Sequence, residues 1–318
     1  MSGAINRRRF CQLSMGAAGA AVLASAGDSG IQIGITTNTR NGGNWSGDML
    51  LSFREAAEAG FHNVETFYNY VKPWWDKPQE LKGRMDELKL RFVTISNGGP
   101  MKTQFEDPGQ AQQLIDEHVK LGEWNKKWFG CEHLKSNTGN RRPEGTTRDD
   151  LKQMAQSMNE IGKRLADSGV KFAIHPHLWT QLQTRSEVDR LMELANPKYV
   201  YLVLDTGHVT MAGMDPVELA KAYVSRIVEF HLKDTRSEDR GGHKGATPKR
   251  EGYTDVGKRI FVELGTGGGV DFPGILAVLN KNNWKGWLTV ELDSTDTTPK
   301  ESARVSRKYL EDTLHLKV

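Results

Sequence analysis

The stretch "YVYLVLDTGHV" (residues 199–209) decides the fold. It opens with a largely apolar run, 199–204, and continues with an acid, a glycine and a histidine, Asp205, Gly207 and His208. A short apolar run bounded by turn residues is typical of a strand buried on both faces in a parallel sheet. The polar residues stand where this strand ends, and α/β proteins bind their ligands at the carboxyl ends of parallel strands.

Seven other stretches have the same strand-like composition, and stretches with helical periodicity alternate with them. The eight predicted strands are 31–36, 63–67, 91–96, 128–134, 170–176, 199–205, 226–232 and 286–292. Thr184 and Glu187 form one of several helix start signals, a capping box. Eight strands that each precede a helix predict a (β/α)8 TIM barrel, an α/β fold with a closed parallel sheet. We expect residues 27–318 to form this barrel as a single domain.

Residues 1–26 are predicted to be a twin-arginine signal peptide. "NRRRF" (6–10) supplies the arginine pair and the phenylalanine, a mild apolar run follows, and "ASA" (24–26) offers a cleavage site with small residues. This layout predicts export to the periplasm. The alternative is a disordered basic N-terminus.

The composition argues against nucleic-acid and membrane partners. The chain has 43 Lys+Arg and 40 Asp+Glu, and removal of the three arginines in residues 1–26 leaves 40 of each sign. A neutral mature chain has no overall electrostatic attraction to nucleic acid. No later segment is long and apolar enough to span a bilayer. Cys131 is the only cysteine after the signal, which excludes an intrachain disulfide.

Carboxylates and imidazoles stand at the ends of six predicted strands. They are Glu65 on strand two, Glu132 and His133 on strand four, His175 and His177 on strand five, Asp205 and His208 on strand six, His231 on strand seven, and Glu291 and Asp293 on strand eight. Because the strands of a barrel end at one mouth, we expect these side chains to converge. Buried charge is costly unless it is paired or bound to a cation, so the set predicts one divalent transition metal, Mn²⁺, Co²⁺, Zn²⁺ or Fe²⁺. The alternative is a structural polar network.

Five motifs resemble the xylose isomerase-like TIM barrels, and within them the sugar phosphate isomerase/epimerase group, which includes inosose dehydratases, ketose 3-epimerases and keto-glycoside lyases. The motifs are "AIHPHLWTQLQT" (173–184), "LVLDTGHV" (202–209), "VEFHLKD" (228–234), "ELGTGGGVDFPGIL" (263–276) and "GWLTVELD" (286–293). The resemblance extends from about residue 31 to 310. It implies a mononuclear metal site with Asp205, His231 and Glu291 as ligands.

Strand five departs from the family pattern. His175 stands where the family usually has a glutamate. A histidine can bind a metal, so the implied ligands are His175, Asp205, His231 and Glu291. Ketose 3-epimerases use two opposed carboxylates for proton transfer, and that pair is incomplete here. Simple epimerisation at C3 is therefore disfavoured, and chemistry with a histidine partner is favoured.

Three side chains are candidate catalytic groups. His177 shares a strand face with His175, and the ordinary pKa of histidine suits a general base or acid. The alternative is a histidine in the pocket wall. Glu291 serves both as ligand and as catalytic candidate. Glu65 is expected to hold a substrate hydroxyl, to act as a base, or to pair with an arginine inside the barrel.

Other side chains are candidates for substrate binding. His208 resembles the substrate-contacting histidine of the family, with capping of the next helix as the alternative. Lys233 and Arg236 are expected to face a hydroxyl, carboxylate or phosphate, or to be solvated. Aromatic residues in predicted rim loops, Trp179 with Trp74 and Trp75, suit the C–H faces of a sugar. The glycine cluster "GTGGG" (265–269) is expected to be a flexible loop at the rim, with a phosphate cradle as the alternative.

Together these features predict a metal-dependent sugar isomerase/epimerase or lyase. A metal bound to a hydroxyketone acidifies the adjacent C–H and stabilises the enediolate that a base forms. Reprotonation gives an isomer or epimer, whereas loss of a β-oxygen gives dehydration or elimination. Export favours a free or glycosidic keto-sugar over a sugar phosphate. The alternatives are a non-catalytic periplasmic sugar-binding barrel and a nuclease similar to endonuclease IV. A homo-oligomer is compatible with the family, although no sequence feature fixes its state.

Overall fold

The structure is a computed structural model that describes residues 30–37, 48–250, 254–255 and 258–318. Eight parallel strands surround one axis, in the hydrogen-bonded order β3-β2-β1-β10-β7-β6-β5-β4. A small antiparallel hairpin, β8 with β9, lies in the connection between β7 and β10. The strands are β1 (Ile31–Thr36), β2 (Asn63–Phe67), β3 (Arg91–Ser96), β4 (His133–Asn137), β5 (Lys171–His175), β6 (Val200–Asp205), β7 (Ile227–Leu232), β8 (Thr254–Asp255), β9 (Lys258–Arg259) and β10 (Gly286–Val290). The predicted TIM barrel is confirmed, and the predicted signal peptide, 1–26, lies outside the described residues.

Helices follow the barrel strands and cover the outside of the sheet. They are α1 (Met49–Glu58), α2 (Tyr68–Val71), α3 (Pro78–Glu87), α4 (Ala111–Phe129), α5 (Arg148–Ala166), α6 (Arg185–Leu194), α7 (Thr206–Met211), α8 (Pro216–Tyr223), α9 (Phe272–Lys281) and α10 (Pro299–Asp312). The predicted capping box of Thr184 and Glu187 begins α6. The main apolar core lies between the strands and these helices. Among the described residues, no helix has the length and apolarity needed to cross a membrane.

Strand four was predicted in the wrong place. Trp128 and Phe129 end α4, Gly130 ends this helix with a left-handed φ of 73°, and β4 begins only at His133. The aromatic pair has high strand propensity, but it continues the buried face of the helix, where Phe129 packs against Trp124. Glu132 and His133 therefore lie at the amino-terminal mouth of the barrel, and their predicted convergence on the active-site mouth is wrong.

The side of the barrel between β3 and β4 is closed largely by side chains. These strands stand at the two ends of the hydrogen-bonded order. Thr94 Oγ1 donates to the His133 carbonyl (2.9 Å), and the Asn97 N–H donates to the Lys135 carbonyl (3.4 Å). The amide of Asn97 adds three further bonds to β4, one to Ser136 and two to Asn137, which couple barrel closure to the residues at the end of that strand.

A buried histidine on α4 supports this side of the barrel. His118 is fully buried, with Nδ1 2.8 Å from the Leu114 carbonyl and Nε2 3.0 Å from Asn97 Nδ2. A carbonyl only accepts, so Nδ1 carries the hydrogen and Nε2 is the acceptor. Burial lowers the pKa of His118 to about 4.

This histidine should make stability depend on pH. Between pH 6.5 and about 4 the unfolded chain protonates the ring while the folded chain keeps it neutral. The contribution of His118 to the free energy of unfolding is therefore fully present above pH 6.5. It is lost as the pH drops towards 4, by up to about 3 kcal/mol. Urea unfolding between pH 4 and 7.5 should show a steeper loss for the wild type than for His118→Gln. A His62→Gln control at an exposed site should keep the wild-type slope, and equal slopes for wild type and His118→Gln would contradict the prediction.

Candidate metal centre

Four potential metal ligands meet at the carboxyl ends of four neighbouring strands, β5, β6, β7 and β10. His175 and Asp205 end their strands, while His231 lies one residue before the end of β7 and Glu291 directly follows β10. One nitrogen or oxygen atom of each lies within 4.8 Å of those of the other three, and all four residues are buried. The residues implied by the family resemblance are thus brought together, His175 included.

The central atoms of this set have few partners outside the set itself. Among the described residues, the buried His175 Nε2 makes no hydrogen bond. Asp205 Oδ2 has Lys233 Nζ at 3.1 Å, and His231 Nδ1 contacts the Glu291 carboxylate. His175 Nε2 lies 3.6 Å and His231 Nδ1 3.9 Å from Asp205 Oδ2. Buried polar atoms without partners cost free energy, whereas two imidazoles and two carboxylates around one point fit a divalent transition metal.

The other nitrogen of each imidazole is held by a neighbouring acceptor. His175 Nδ1 lies 2.8 Å from Asn137 Oδ1, and His231 Nε2 lies 2.9 Å from Glu65 Oε2. Because both partners accept, these nitrogens carry the hydrogens. In the neutral form of each ring, the lone pair on the opposite nitrogen would face the centre, as metal ligation requires.

A second cluster lies beneath the first and is already satisfied. Glu65, Glu229 and His231 also bring ligand-type atoms within 4.8 Å of one another. However, Glu65 Oε1 is 2.6 Å from Lys135 Nζ and accepts from Ser96 Oγ (2.8 Å). Glu229 bonds His133 Nε2 (2.7 Å) and Thr289 Oγ1. We interpret this layer as support for His231, the residue of the upper set that it contacts. Glu65 pairs with a lysine inside the barrel, rather than with an arginine.

Buried charges shift the pKa values of these groups in opposite directions. Burial alone would raise the pKa of Glu65, but Lys135 and His231 hold it below its ordinary value. Burial alone would lower the pKa of His231, but Glu291 and then Glu65 raise it to about 10. The local excess of carboxylate charge is balanced by a proton on His231. A bound divalent cation would replace that proton, since a metal ligand must be deprotonated.

Lys233 is buried at the centre of the site. Its Nζ lies 3.1 Å from Asp205 Oδ2, 2.9 Å from Asp293 Oδ2 and 3.7 Å from Glu291 Oε1. Burial opposes the charge, but the three carboxylates raise the pKa of Lys233. The solvated alternative for Lys233 is therefore wrong. Arg236 instead donates to the Arg259 carbonyl on β9.

His177, His208 and Trp179 form a wall beside the four ligands. The ring centroids of His177 and His208 are 3.3 Å apart, and that of Trp179 is 5.9 Å from His208. His177 Nδ1 donates to the Leu178 carbonyl (2.6 Å), so Nε2 carries the lone pair. Burial, together with His175 and Lys233, lowers the pKa of His177 to about 3. The argument from an ordinary histidine pKa therefore no longer applies to His177.

His208 and the tryptophans differ in what they contact. Both ring nitrogens of His208 lack hydrogen-bond partners among the described residues, while its backbone N–H donates to Asp205 Oδ1 (2.8 Å), the cap of α7. Capping is thus done by the aspartate. Trp75 stacks on Trp124 of α4 at 4.7 Å, and Trp74 also packs against the apolar core. Of the three tryptophans, Trp179 is the one that contacts His177 and His208.

The glycine loop encloses a carboxylate of the chain itself. Asp234, two residues after β7, is buried and accepts five backbone N–H groups at 2.8–3.3 Å. The donors are Thr235, Gly265, Gly267, Gly268 and Val270. A Cβ on Gly267 would lie 1.9 Å from the Thr235 carbonyl oxygen, so only glycine fits this approach. The loop thus has the geometry of the anion cradle that was the alternative interpretation, but the anion it binds is the carboxylate of Asp234 and not a phosphate.

The sequence assigns no role to three residues of the site, Lys135, Asn137 and Glu229. The misplaced fourth strand hid the first two, since a strand over 133–137 puts Lys135 and Asn137 on the face of His133. Alternation along "VEFHLKD" (228–234) was an available signal, because it sets Glu229 and Lys233 on the face of His231. Asp293, one of the side chains expected to converge, lies at the site beside Lys233, and burial and Glu291 raise its pKa to about 6 against the effect of Lys233.

Comparison with known proteins points to one family. The family model described as "Xylose isomerase-like TIM barrel" matches residues 53–313. An inosose dehydratase of Clostridium tetani is 34% identical over 168 residues, 52% of this chain and 55% of the relative, so the chain spans about half the length of this relative. An inosose dehydratase of Mesomycoplasma hyopneumoniae (strain J) is 31% identical over 280 residues, 85% of this chain and 89% of the relative. The crystal structure of the IOLI protein with a zinc atom has a TM-score of 0.63 at 16% identity, over 88% of this chain and 96% of that one.

The buried Lys135–Glu65 pair gives a stability prediction. Lys135→Met leaves a buried carboxylate without its cation and should lower the free energy of unfolding by about 3–5 kcal/mol. Urea unfolding of chelator-treated protein measures this. Lys82→Met, which breaks an exposed pair with Asp86, should change stability by less than about 1 kcal/mol. Lys135→Met with Glu65→Gln should be less destabilised than the sum of the single variants, and strict additivity would contradict the pairing.

Proposed function

The chain belongs to the xylose isomerase-like TIM barrel family, and we propose that it is a divalent-metal-dependent enzyme that dehydrates, isomerises or epimerises an unphosphorylated keto-sugar or keto-polyol. One observation carries the proposal. The buried residues His175, Asp205, His231 and Glu291 each have one ligand atom within 4.8 Å of those of the other three. The relatives named inosose dehydratase favour loss of water among the three outcomes.

The metal would be held by these four side chains. When bound, Mn²⁺, Co²⁺, Zn²⁺ or Fe²⁺ supplies Lewis acidity that polarises a substrate carbonyl and stabilises the charge developing when the adjacent C–H loses its proton. The mixed nitrogen and oxygen donors support a transition metal over Ca²⁺ or Mg²⁺. The zinc atom in the similarly folded IOLI structure is compatible with this choice.

The side chains of the wall would handle the proton and the substrate. His177 Nε2 is the proposed acceptor for the C–H proton, since the bond from Nδ1 to the Leu178 carbonyl fixes the ring and leaves that lone pair available. His208 has two ring nitrogens to offer to substrate hydroxyls. Lys233 is the proposed donor to developing negative charge, because three carboxylates orient its ammonium group. Trp179 and Phe261 would pack on apolar sugar faces and exclude water.

The filled glycine loop supports a substrate without a phosphate group. Many (β/α)8 barrels bind phosphate at the loops after the seventh and eighth strands. In this chain, Asp234 occupies the amide cradle after β7. Nearby cations are also engaged, Lys233 by carboxylates and Arg259 by Glu263 and Asp296. A phosphate there would have to displace Asp234 and would meet its negative charge.

Export to the periplasm through residues 1–26 is part of the same proposal. The twin-arginine pattern and the small-residue cleavage site support it. The alternative functions are a non-catalytic sugar-binding barrel and a nuclease similar to endonuclease IV. The nuclease would need additional metal ions, and the satisfied bonds of Glu65 and Glu229 disfavour a second ion beneath the first.

Metal content tests the centre of the proposal. Protein recovered from the periplasm, with an intact mass that begins at Gly27, should contain about one transition-metal ion per chain. Asp205→Asn removes a ligand and should weaken metal binding by at least about 100-fold, since changes to the partners of ligands already cost up to about that much. Asp189→Asn on the surface of α6 is the matched control. About three ions per chain would revive the nuclease, and no binding under any loading would refute the metal centre.

Proton exchange tests the chemistry and the substrate class. In heavy water, the enzyme should exchange the hydrogen beside the carbonyl of an inosose or a 3-keto-glucoside, and mass spectrometry should show whether water is lost. His177→Gln should slow the exchange by about 10²–10⁴-fold with unchanged metal content, because it removes the proposed base. The phosphate monoesters of the same compounds should not react. Activity confined to phosphorylated substrates would contradict the proposal.

A further inference from the structure

Two amide side chains connect the closure of the barrel to His175. Asn137 ends β4, and its Oδ1 lies 2.8 Å from His175 Nδ1. Asn97 directly follows β3. Its Oδ1 accepts from the Asn137 N–H (2.8 Å) and its Nδ2 donates to the Asn137 carbonyl (3.0 Å). The Asn97 side chain thus pairs with the backbone of Asn137 as a neighbouring strand would.

His118 of α4 contacts the Asn97 amide and helps to determine its orientation. His118 Nδ1 donates to the Leu114 carbonyl, so the His118 Nε2 lone pair faces Asn97 Nδ2 at 3.0 Å. The same Nδ2 lies 2.8 Å from Ser136 Oγ. An amide turned by half a rotation would set its oxygen against the imidazole lone pair and its nitrogen against the Asn137 N–H. Both contacts would then be repulsive.

The contact between Asn137 Oδ1 and His175 Nδ1 determines which nitrogen of His175 can bind a metal. The Asn137 oxygen accepts, so Nδ1 carries the hydrogen and Nε2 carries the lone pair. Nε2 is the atom without a hydrogen-bond partner, and it faces Asp205 Oδ2 at 3.6 Å. The two histidines of the centre therefore have different partners, a neutral amide for His175 and the Glu65 carboxylate for His231.

We propose that Asn137 is a positioning residue that presents Nε2 of His175 to the metal ion, and that Asn97 and His118 hold Asn137 in place. The inference rests on the proposed metal centre and explains how a histidine serves at this position. Partners of metal-binding histidines fix the ring orientation and the tautomer, and their loss typically weakens metal binding about 10–100-fold.

Cobalt binding to the full mature chain tests the role of Asn137. Titration calorimetry with Co²⁺ should give a dissociation constant about 10–100-fold higher for Asn137→Ala than for the wild type, and the visible absorption of bound Co²⁺ should shift. Asn137→Asp keeps an acceptor for Nδ1–H, so it should bind Co²⁺ within about threefold of the wild type or more tightly.

The control separates a positioning role from a general loss of stability. Asn125→Ala removes another buried amide, which donates to the Ile95 carbonyl (2.9 Å) on the same side of the barrel. It should lower stability but leave Co²⁺ affinity and absorption unchanged. The inference is overturned if Asn137→Ala matches the wild type, or if Asn125→Ala weakens binding equally. Should Asn137→Ala fail to fold, a tenfold loss of affinity in Asn137→Asp overturns it. A wild type that binds no Co²⁺ refutes the proposed metal centre itself, and this inference with it.

Discussion

The charge buried inside the barrel is the constraint on which the rest of the structure depends. Five buried carboxylates lie close together, and two buried lysines lie among them: Glu65, Asp205, Glu229, Glu291 and Asp293, with Lys135 and Lys233. An unpaired carboxylate there would cost several kcal/mol. Each is therefore matched by a lysine, a histidine or a hydroxyl, or belongs to the group around the candidate metal position. The usual apolar filling of a TIM barrel is replaced in part by this network. Neighbouring strands must keep their register for the charges to balance.

The fold could be predicted from the sequence because its signals were local. Apolar runs bounded by turn residues located seven of eight barrel strands, and the fourth failed because Trp128 and Phe129 have the composition of a strand but the packing of a helix. The four ligands could be named from a resemblance, since they stand at strand ends. Lys135 and Asn137 could not be named in this way, because their place on the inner face of the barrel depends on the register of β4, which was mispredicted. The low pKa of His177 could not be predicted from the sequence either, since it results from burial beside His175 and Lys233.

The candidate metal centre and the closure of the barrel share residues, so metal binding at this centre would be coupled to folding. Where β3 and β4 lack a regular ladder, Asn97 supplies hydrogen bonds from its side chain, and the residue it pairs with is the one that contacts His175. On the other side, His231 rests on Glu65, which Lys135 holds from β4. Strand four therefore contributes none of the four candidate ligands, but its Asn137 contacts His175 and its Lys135 holds the glutamate that contacts His231.

The carboxylate enclosed by the glycine loop has an evolutionary consequence. Asp234 gathers five backbone amides that need no further change to hold an anion. An ancestral or descendant barrel with a shorter residue at this position would present the same amides to an external phosphate. Use of neutral and of phosphorylated sugars would then be separated by a single codon, with the ligands of the metal centre untouched.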